Sequence, residues 1–144
     1  AAFKLPHPTV AGSEFDFSFS GLKTAVINML HHAEQKGETI DRNDLSASLQ
    51  ATISQILTDK TMLAAQALGY KKIALAGGVS ANSGVRTALS QACERRGYEF
   101  FMPEKSLCGD NGAMIACQGS YNFLAGITAD ESLNAVATLS MDKI

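Results

Sequence analysis

A pair of glycines, Gly77 and Gly78, follows a short apolar run and precedes an amphipathic segment. This pattern predicts a strand, a tight turn and a helix. Paired glycines let the backbone adopt positive φ and approach a ligand closely, and the free N–H groups of the next helix face the same space. The junction therefore suits contact with an anion or a nucleotide. An ordinary strand-to-helix turn is the alternative.

Two polar residues beyond the turn are candidates for a shared site. Asn82 follows the glycines closely, and Asp110 stands at the head of a later apolar helix. The chain between them is long enough for one helix, one strand and a loop, so both residues can reach one cleft. Each also has a plain structural reading, since Asn82 can be a local cap and a carboxylate at a helix start is stabilised with or without a ligand.

The bulk properties favour one compact domain. The chain has 144 residues, of which 46% are hydrophobic and 7% aromatic, which is enough to bury one core. A net charge of −2 argues against a general nucleic-acid surface. Two basic pairs, Lys71-Lys72 and Arg95-Arg96, are most simply solvated ends of elements, with contact to RNA phosphates as the alternative.

Three cysteines, odd in number and without Cys-x-x-Cys spacing, argue against a disulfide framework or a zinc knuckle. They indicate a reducing, cytoplasmic setting. The apolar runs are far shorter than a membrane span, and the first residues lack the apolar core of a signal peptide. We therefore expect a soluble protein without a membrane partner.

Hydrophobic periodicity predicts an alternation of strands and helices. Phe15, Phe17 and Phe19 would share one face of a first strand, which needs sheet neighbours and indicates a piece of a longer chain. Helices are expected from Leu22 to Gly37, from Asp41 or Asn43 to Gly69, from the glycine turn to Gly97, and over 110–124. The helix over 110–124 is apolar nearly all round and is predicted to be buried.

Two further strands are expected over 72–76 and 98–102, with a loop over 103–108. The order of elements predicts an α/β fold in which these two strands are parallel. Ligands in such sheets lie at the carboxyl ends of the strands. The glycine turn and the loop before Asp110 both fall there.

Three motifs taken together resemble the C-terminal half of the TsaD family, the tRNA adenosine threonylcarbamoyltransferases once labelled glycoproteases. They are residues 15–25 (FDFSFSGLKTA), 76–82 (AGGVSAN) and 109–116 (GDNGAMIA), in the order in which the family has them. The resemblance runs through most of the chain. It implies the C-terminal lobe of an actin-like, Hsp70-like ATPase fold of the ribonuclease H-like class, with residues 1–144 as one domain and the N-terminal lobe outside the sequence.

The resemblance also implies a reaction and the residues that serve it. The family moves a threonylcarbamoyl group from threonylcarbamoyl-adenylate to the exocyclic amine of the adenosine next to the tRNA anticodon. Gly77 and Gly78 would form the adenosine-motif turn, Asn82 would hydrogen-bond an adenine nucleotide such as ATP or threonylcarbamoyl-AMP, and Asp110 would ligate a divalent metal. Iron, zinc and manganese suit such a ligand about equally. Implied partners are tRNA, a smaller paralogous subunit and an accessory ATPase.

The departure from the family concerns length. The family's other metal ligands come from a His-x-x-x-His pair of the first lobe, and this sequence has no such pair. His31 and His32 are adjacent, so on a helix they point about 100° apart and cannot chelate one metal. We therefore expect the chain alone to be catalytically inactive.

Two other functions stay open at this stage. A strand followed by a glycine turn also suits a small-molecule kinase of the actin-like superfamily, and a non-catalytic lobe that binds a homologous partner or forms a homodimer is the third possibility. A protease is disfavoured, because the sequence has neither His-Glu-x-x-His nor Gly-x-Ser-x-Gly. No role is assigned to Ser18, Ser20, Lys23 or Cys108.

Overall fold

The computed structural model describes residues 2–138, which form two compact units, one ending at Gly109 and the other beginning at Asp110. The first unit is a helix-rich α/β structure with a small parallel sheet, as predicted, and the second holds one helix. The assignment of residues 1–144 to one domain stays a prediction. The elements in chain order are α1 (Ser20–Lys36), α2 (Arg42–Leu68), β1 (Lys72–Ala74), a 3₁₀ turn (Gly78–Ala81), α3 (Ser83–Arg96), β2 (Glu99–Phe101), a second 3₁₀ turn (Lys105–Leu107) and α4 (Gly112–Leu124).

The ends of the long helices follow from capping chemistry. Of the two candidate caps for α2, the structure selects Asp41, whose carboxylate accepts hydrogen bonds from the N–H groups of Asn43 (2.8 Å) and Asp44 (2.9 Å). The first three helices all end at a left-handed glycine, a conformation that other residues adopt only with strain. These glycines are Gly37, Gly69 and Gly97.

Replacing Asp41 with alanine is expected to lower the free energy of unfolding by about 1 kcal/mol, because two N–H groups of α2 lose their acceptor. Thermal unfolding of the purified chain measures the effect. Asn43→Ala is the matched control, since Asn43 contributes only a backbone donor to the cap. An equal loss in the two variants would contradict the assignment of the cap to Asp41.

The helices pack into two apolar clusters. The larger cluster lies where α2 and α3 cover one face of the sheet, and its buried members are Met62, Ala65, Ile73, Val85, Leu89, Ala92 and Cys93. The second cluster joins the segment before α1 to α1 and α2, with Leu5, Leu22 and Ile56 buried. The larger cluster thus supports both strands and the start of α3, from which the candidate site projects.

The sheet consists of β1 and β2 over the described residues, and the two strands are parallel, as predicted. Ile73 pairs with Phe100, and both contact the larger cluster. Residues on either side of this pair point to the opposite face, where the Phe101 side chain is 51% exposed. That face carries Ala74 and Phe101 beside the charged pair Lys72 and Glu99, and all four residues are exposed within the described part of the chain.

The predicted strand over Phe15, Phe17 and Phe19 is wrong. The segment makes one isolated antiparallel bridge, between Thr9 and Phe17, and α1 begins directly after Phe19. Phe19 instead packs against the cluster around Leu22. An alternating pattern over five residues does not form a strand unless a neighbouring strand pairs with it along its length. Here the segment instead packs one ring, that of Phe19, beside α1.

The predicted burial of the helix over 110–124 is also wrong. α4 begins two residues later, at Gly112, and none of its residues is buried, with Phe123 73% exposed. An apolar pattern leads to burial only where another element packs against it. In the unit that holds α4, the described residues after this helix form no further helix or strand that could pack against it.

Candidate functional site

The glycine turn begins where the sheet ladder ends. The N–H of Leu75 donates to the carbonyl of Phe101 (2.9 Å), and the chain then turns at Gly77, which has φ 84° and ψ 171°. Only Gly77 of the pair has positive φ, so the expectation of an unusual backbone holds for one glycine. A 3₁₀ turn, which the sequence reading did not predict, separates the strand from α3.

The space around both glycines is open. A Cβ atom built on Gly77 or Gly78 would meet no heavy atom within 4 Å. Gly77 is therefore required by its backbone conformation, whereas nothing within the described protein requires Gly78 to lack a side chain. Absence of a side chain at Gly78 leaves room for a ligand to approach the backbone.

Asn82 is the N-cap of α3. Its Oδ1 accepts a hydrogen bond from the N–H of Val85 (3.1 Å), and its Nδ2 donates to Oε1 of Gln50 on α2 (3.2 Å). The capping alternative is thus what the structure shows. An amide nitrogen carries two hydrogens, so Nδ2 can still donate to a ligand, and the nucleotide role of Asn82 stays a prediction.

A cavity of about 520 Å³ opens beside Asn82. It lies among α2, β1 and the start of α3, with Ala76 and Val79 on either side of the two glycines and Phe17 and Phe19 from the segment before α1, and its walls are mainly apolar. The polar residues on its lining are Gln50, Ser54, Thr61 and Asn82. Its size and its few polar groups are typical of pockets for small organic ligands, including a planar base.

The Arg86 side chain of α3 bonds to the loop after β2. Nη1 of Arg86 donates to the carbonyl of Ser80 (2.8 Å) and to Sγ of Cys108 (3.4 Å), and Nη2 donates to the carbonyl of Pro103. Cys108 is buried, and its thiol donates to the carbonyl of Glu104 (3.4 Å). Cys108 thus has a structural role in this loop.

Arg86 was missed by the sequence reading. The available signal was its place on α3, since Arg86 precedes the buried residues Leu89 and Cys93 by three and seven positions and so lies at the edge of their stripe. A charged residue on the border of a core-facing stripe needs polar partners. Here those partners come from two loops.

Asp110 is exposed and is not the cap of α4. That function belongs to Asn111, whose Oδ1 accepts a hydrogen bond from the N–H of Met114 (3.0 Å). Gly77, Gly78 and Asn82 lie together around one turn of the first unit, while Asp110 opens the second. The carboxylate of Asp110 is therefore available to a ligand without loss of a helix cap.

The described residues do not form a metal centre by themselves. Over residues 2–138, no three His, Cys, Asp or Glu side chains lie close enough to hold a metal ion. Burial raises the pKa of the Cys93 thiol, which keeps it protonated and unsuited to metal binding. Asp110 has the donor chemistry of a metal ligand, but protein metal sites need more than one such group.

One member of each basic pair has a partner within the protein. Nζ of Lys72 lies 3.7 Å from Oε1 of Glu99 across the sheet, and Nη1 of Arg96 donates to Oε1 of Gln66 (3.1 Å). These contacts fit the simpler reading of the pairs as surface residues. No helix of the described chain is both long and apolar enough to cross a membrane.

The described residues define a helix-rich α/β protein whose small parallel sheet carries a glycine turn and a neighbouring pocket at one end. Comparison with protein families matches residues 1–117 to TsaD, tRNA N6-adenosine threonylcarbamoyltransferase. The chain belongs to this family, which confirms the resemblance read from the three motifs. All three motifs lie within the matched residues.

Individual relatives agree with the family match. The chain is 45% identical over 141 residues to the tRNA N6-adenosine threonylcarbamoyltransferase of Moorella thermoacetica, covering 98% of this chain and 41% of the relative. It is 47% identical over 138 residues to the enzyme of the same name from Bacillus licheniformis, covering 95% and 40%. The chain thus spans about two fifths of the length of these relatives.

Proposed function

We propose that this chain is the nucleotide-binding part of a tRNA N6-adenosine threonylcarbamoyltransferase. The observation that carries the proposal is the open turn at Gly77 and Gly78, which lies beside Asn82 and a pocket within the segment that matches the family. In the full-length protein, the threonylcarbamoyl group of threonylcarbamoyl-AMP would pass to the adenosine next to the tRNA anticodon. The actin-like lobe, the smaller paralogous subunit, the accessory ATPase and the cytoplasmic location belong to the same proposal.

The part played by the turn is to bind and orient the nucleotide. The apolar walls of the pocket, including Val79 and Leu75, can cover a base and exclude water from it. The free hydrogen of the Asn82 amide can donate to the base or the ribose. Gly78 lets the nucleotide approach the backbone, and the N-terminal end of α3 favours a nearby negative charge.

Asp110 would contribute one carboxylate to a divalent metal, iron or zinc, whose remaining ligands lie outside the described residues. This part of the proposal depends on donor chemistry and on the exposed position of Asp110 at the start of its unit. Because the described residues hold no complete site, the role of this chain in the reaction is limited here to binding and positioning.

Gly78→Ala tests the nucleotide turn in the full-length protein. The new methyl group meets open space, so the melting temperature should stay unchanged, whereas a nucleotide lying against the turn would be crowded. We expect affinity for AMP, measured by calorimetric titration, to fall about tenfold. The corresponding loss of binding free energy is that of a modest steric clash.

Gly119→Ala is the matched control, since its Cβ also meets open space but lies on α4. Wild-type affinity in Gly78→Ala would contradict nucleotide binding at this turn. Activity is tested separately, by mass spectrometry of nucleosides from tRNA treated with the full-length enzyme, its accessory proteins and threonylcarbamoyl-AMP. Phosphorylation of a small substrate without any tRNA product would instead indicate the kinase function.

A further inference from the structure

Arg86 joins the two loops that leave the carboxyl ends of the strands. Its three acceptors are the carbonyl of Ser80 in the loop after β1, and the carbonyl of Pro103 and the sulfur of Cys108 in the loop after β2. The last ladder bond between the strands is the one from Leu75 to Phe101. Beyond it, the Arg86 side chain bridges the two loops.

The chemistry of the contact requires an arginine. A guanidinium has five N–H donors in a fixed plane, which lets it reach several acceptors at set angles, whereas the lysine ammonium is a compact charge on a flexible stem. Ser80 and Cys108 are both buried, so the guanidinium meets acceptors that solvent does not reach easily. Hydrogen bonds from a charged donor to such acceptors are stronger than neutral ones.

Each loop keeps its own internal structure without Arg86. In the first loop the N–H of Ser80 donates to Gly77 (2.9 Å) and that of Asn82 to Val79 (3.0 Å). In the second, Leu107 donates to Glu104 (3.0 Å). Loss of Arg86 would therefore leave two intact loops whose relative placement is no longer fixed.

We propose that Arg86 is a positioning residue of the transferase. It sets the nucleotide turn at Gly77, Gly78 and Asn82 against the loop that ends at Cys108, two residues before Asp110 along the chain. This inference rests on the proposed function. Because the nucleotide turn has its own internal bonds, Arg86 serves the reaction step more than the binding of the nucleotide.

The test is steady-state kinetics of the full-length enzyme with Arg86→Lys and Arg86→Met, assayed well below their melting temperatures. We expect kcat to fall about tenfold or more, since small misplacements of reacting groups cost that much, with KM for threonylcarbamoyl-AMP within about twofold of wild type. The Lys variant should not restore kcat, because charge alone does not reproduce the planar contact.

Arg96→Lys is the matched control, because Arg96 lies on the same helix and its guanidinium also donates a hydrogen bond, to Oε1 of Gln66, but at an exposed position. A lower melting temperature with wild-type kcat in the Arg86 variants would overturn the proposal, as would a rise in KM alone or an equal loss in Arg96→Lys. A wild-type enzyme that forms no modified tRNA would refute the proposed function instead.

Cys108→Ala keeps the proposal testable if the Arg86 variants do not fold. It removes one acceptor and leaves the other two. We expect a smaller fall in kcat, again without a change in KM, and faster hydrogen exchange at the N–H groups of Leu107 and Cys108. Wild-type kcat in Cys108→Ala, in the absence of any folded Arg86 variant, would overturn the proposal.

Discussion

Asp110→Asn in the full-length transferase is expected to abolish tRNA modification and metal binding while leaving the fold intact. The substitution keeps the shape of the side chain but removes the charge that a divalent ion requires. Loss of metal-derived charge stabilisation corresponds to several kcal/mol, so the rate of tRNA modification should fall about 1000-fold. Metal content per protein, measured by elemental analysis, should fall in parallel.

The stability of the Asp110→Asn variant is an integral part of the prediction. Asp110 is exposed and Asn111, not Asp110, caps α4, so the melting temperature should stay near that of wild type. Asp130→Asn removes the same charge from another exposed position of the unit and serves as control. Full metal content and full activity in Asp110→Asn would show that this carboxylate is not a ligand.

Asn82 has a structural and a proposed ligand function, and two substitutions separate them. Asn82→Ala removes the cap of α3 and the amide donor together, so it should cost about 1 kcal/mol of stability and weaken AMP binding by about 100-fold. Asn82→Ser keeps an oxygen that caps a helix equally well but has no amide N–H. We expect near-normal stability and still weakened binding in the Ser variant.

Calorimetric titration of AMP and thermal unfolding of the same samples give both quantities. Gln66→Ala is the control, because it removes a hydrogen-bonded side-chain amide of α2 that does not line the pocket. If Asn82→Ser binds AMP as wild type does, then Asn82 is a cap only, and the base or ribose is held by other groups around the pocket.

Local patterns predicted the helices well. The apolar stripes and the glycines at 37, 69 and 97 placed the first three helices. The apolar stripe of a helix, its N-cap and the glycine at its end are each determined by residues near one another in sequence. The strands were predicted too long, as 72–76 and 98–102 against Lys72–Ala74 and Glu99–Phe101. Strand ends depend on pairing, which the sequence of one strand does not contain.

Features that depend on distant contacts were beyond reach. Whether Phe17 pairs in a sheet and whether α4 is buried are decided by the elements that lie beside them, and neither neighbour is visible in a local pattern. Arg86 finds acceptors 17 and 22 residues away at Pro103 and Cys108. The glycine turn itself was predicted correctly in place, and a cap at Asn82 was one of its two readings, but the 3₁₀ turn and the bond from Asn82 to Gln50 were not predicted.

The larger apolar cluster has a consequence for how the glycine turn at Gly77 and Gly78 folds. Its buried members all come from the stretch between Met62 and Cys93, whereas the second cluster joins Leu5 to Ile56. A contact between residues that are near each other in sequence closes only a short loop of chain. Closing a short loop costs the least chain entropy. The turn at Gly77 lies within that stretch, so the apolar cluster that supports it has low contact order.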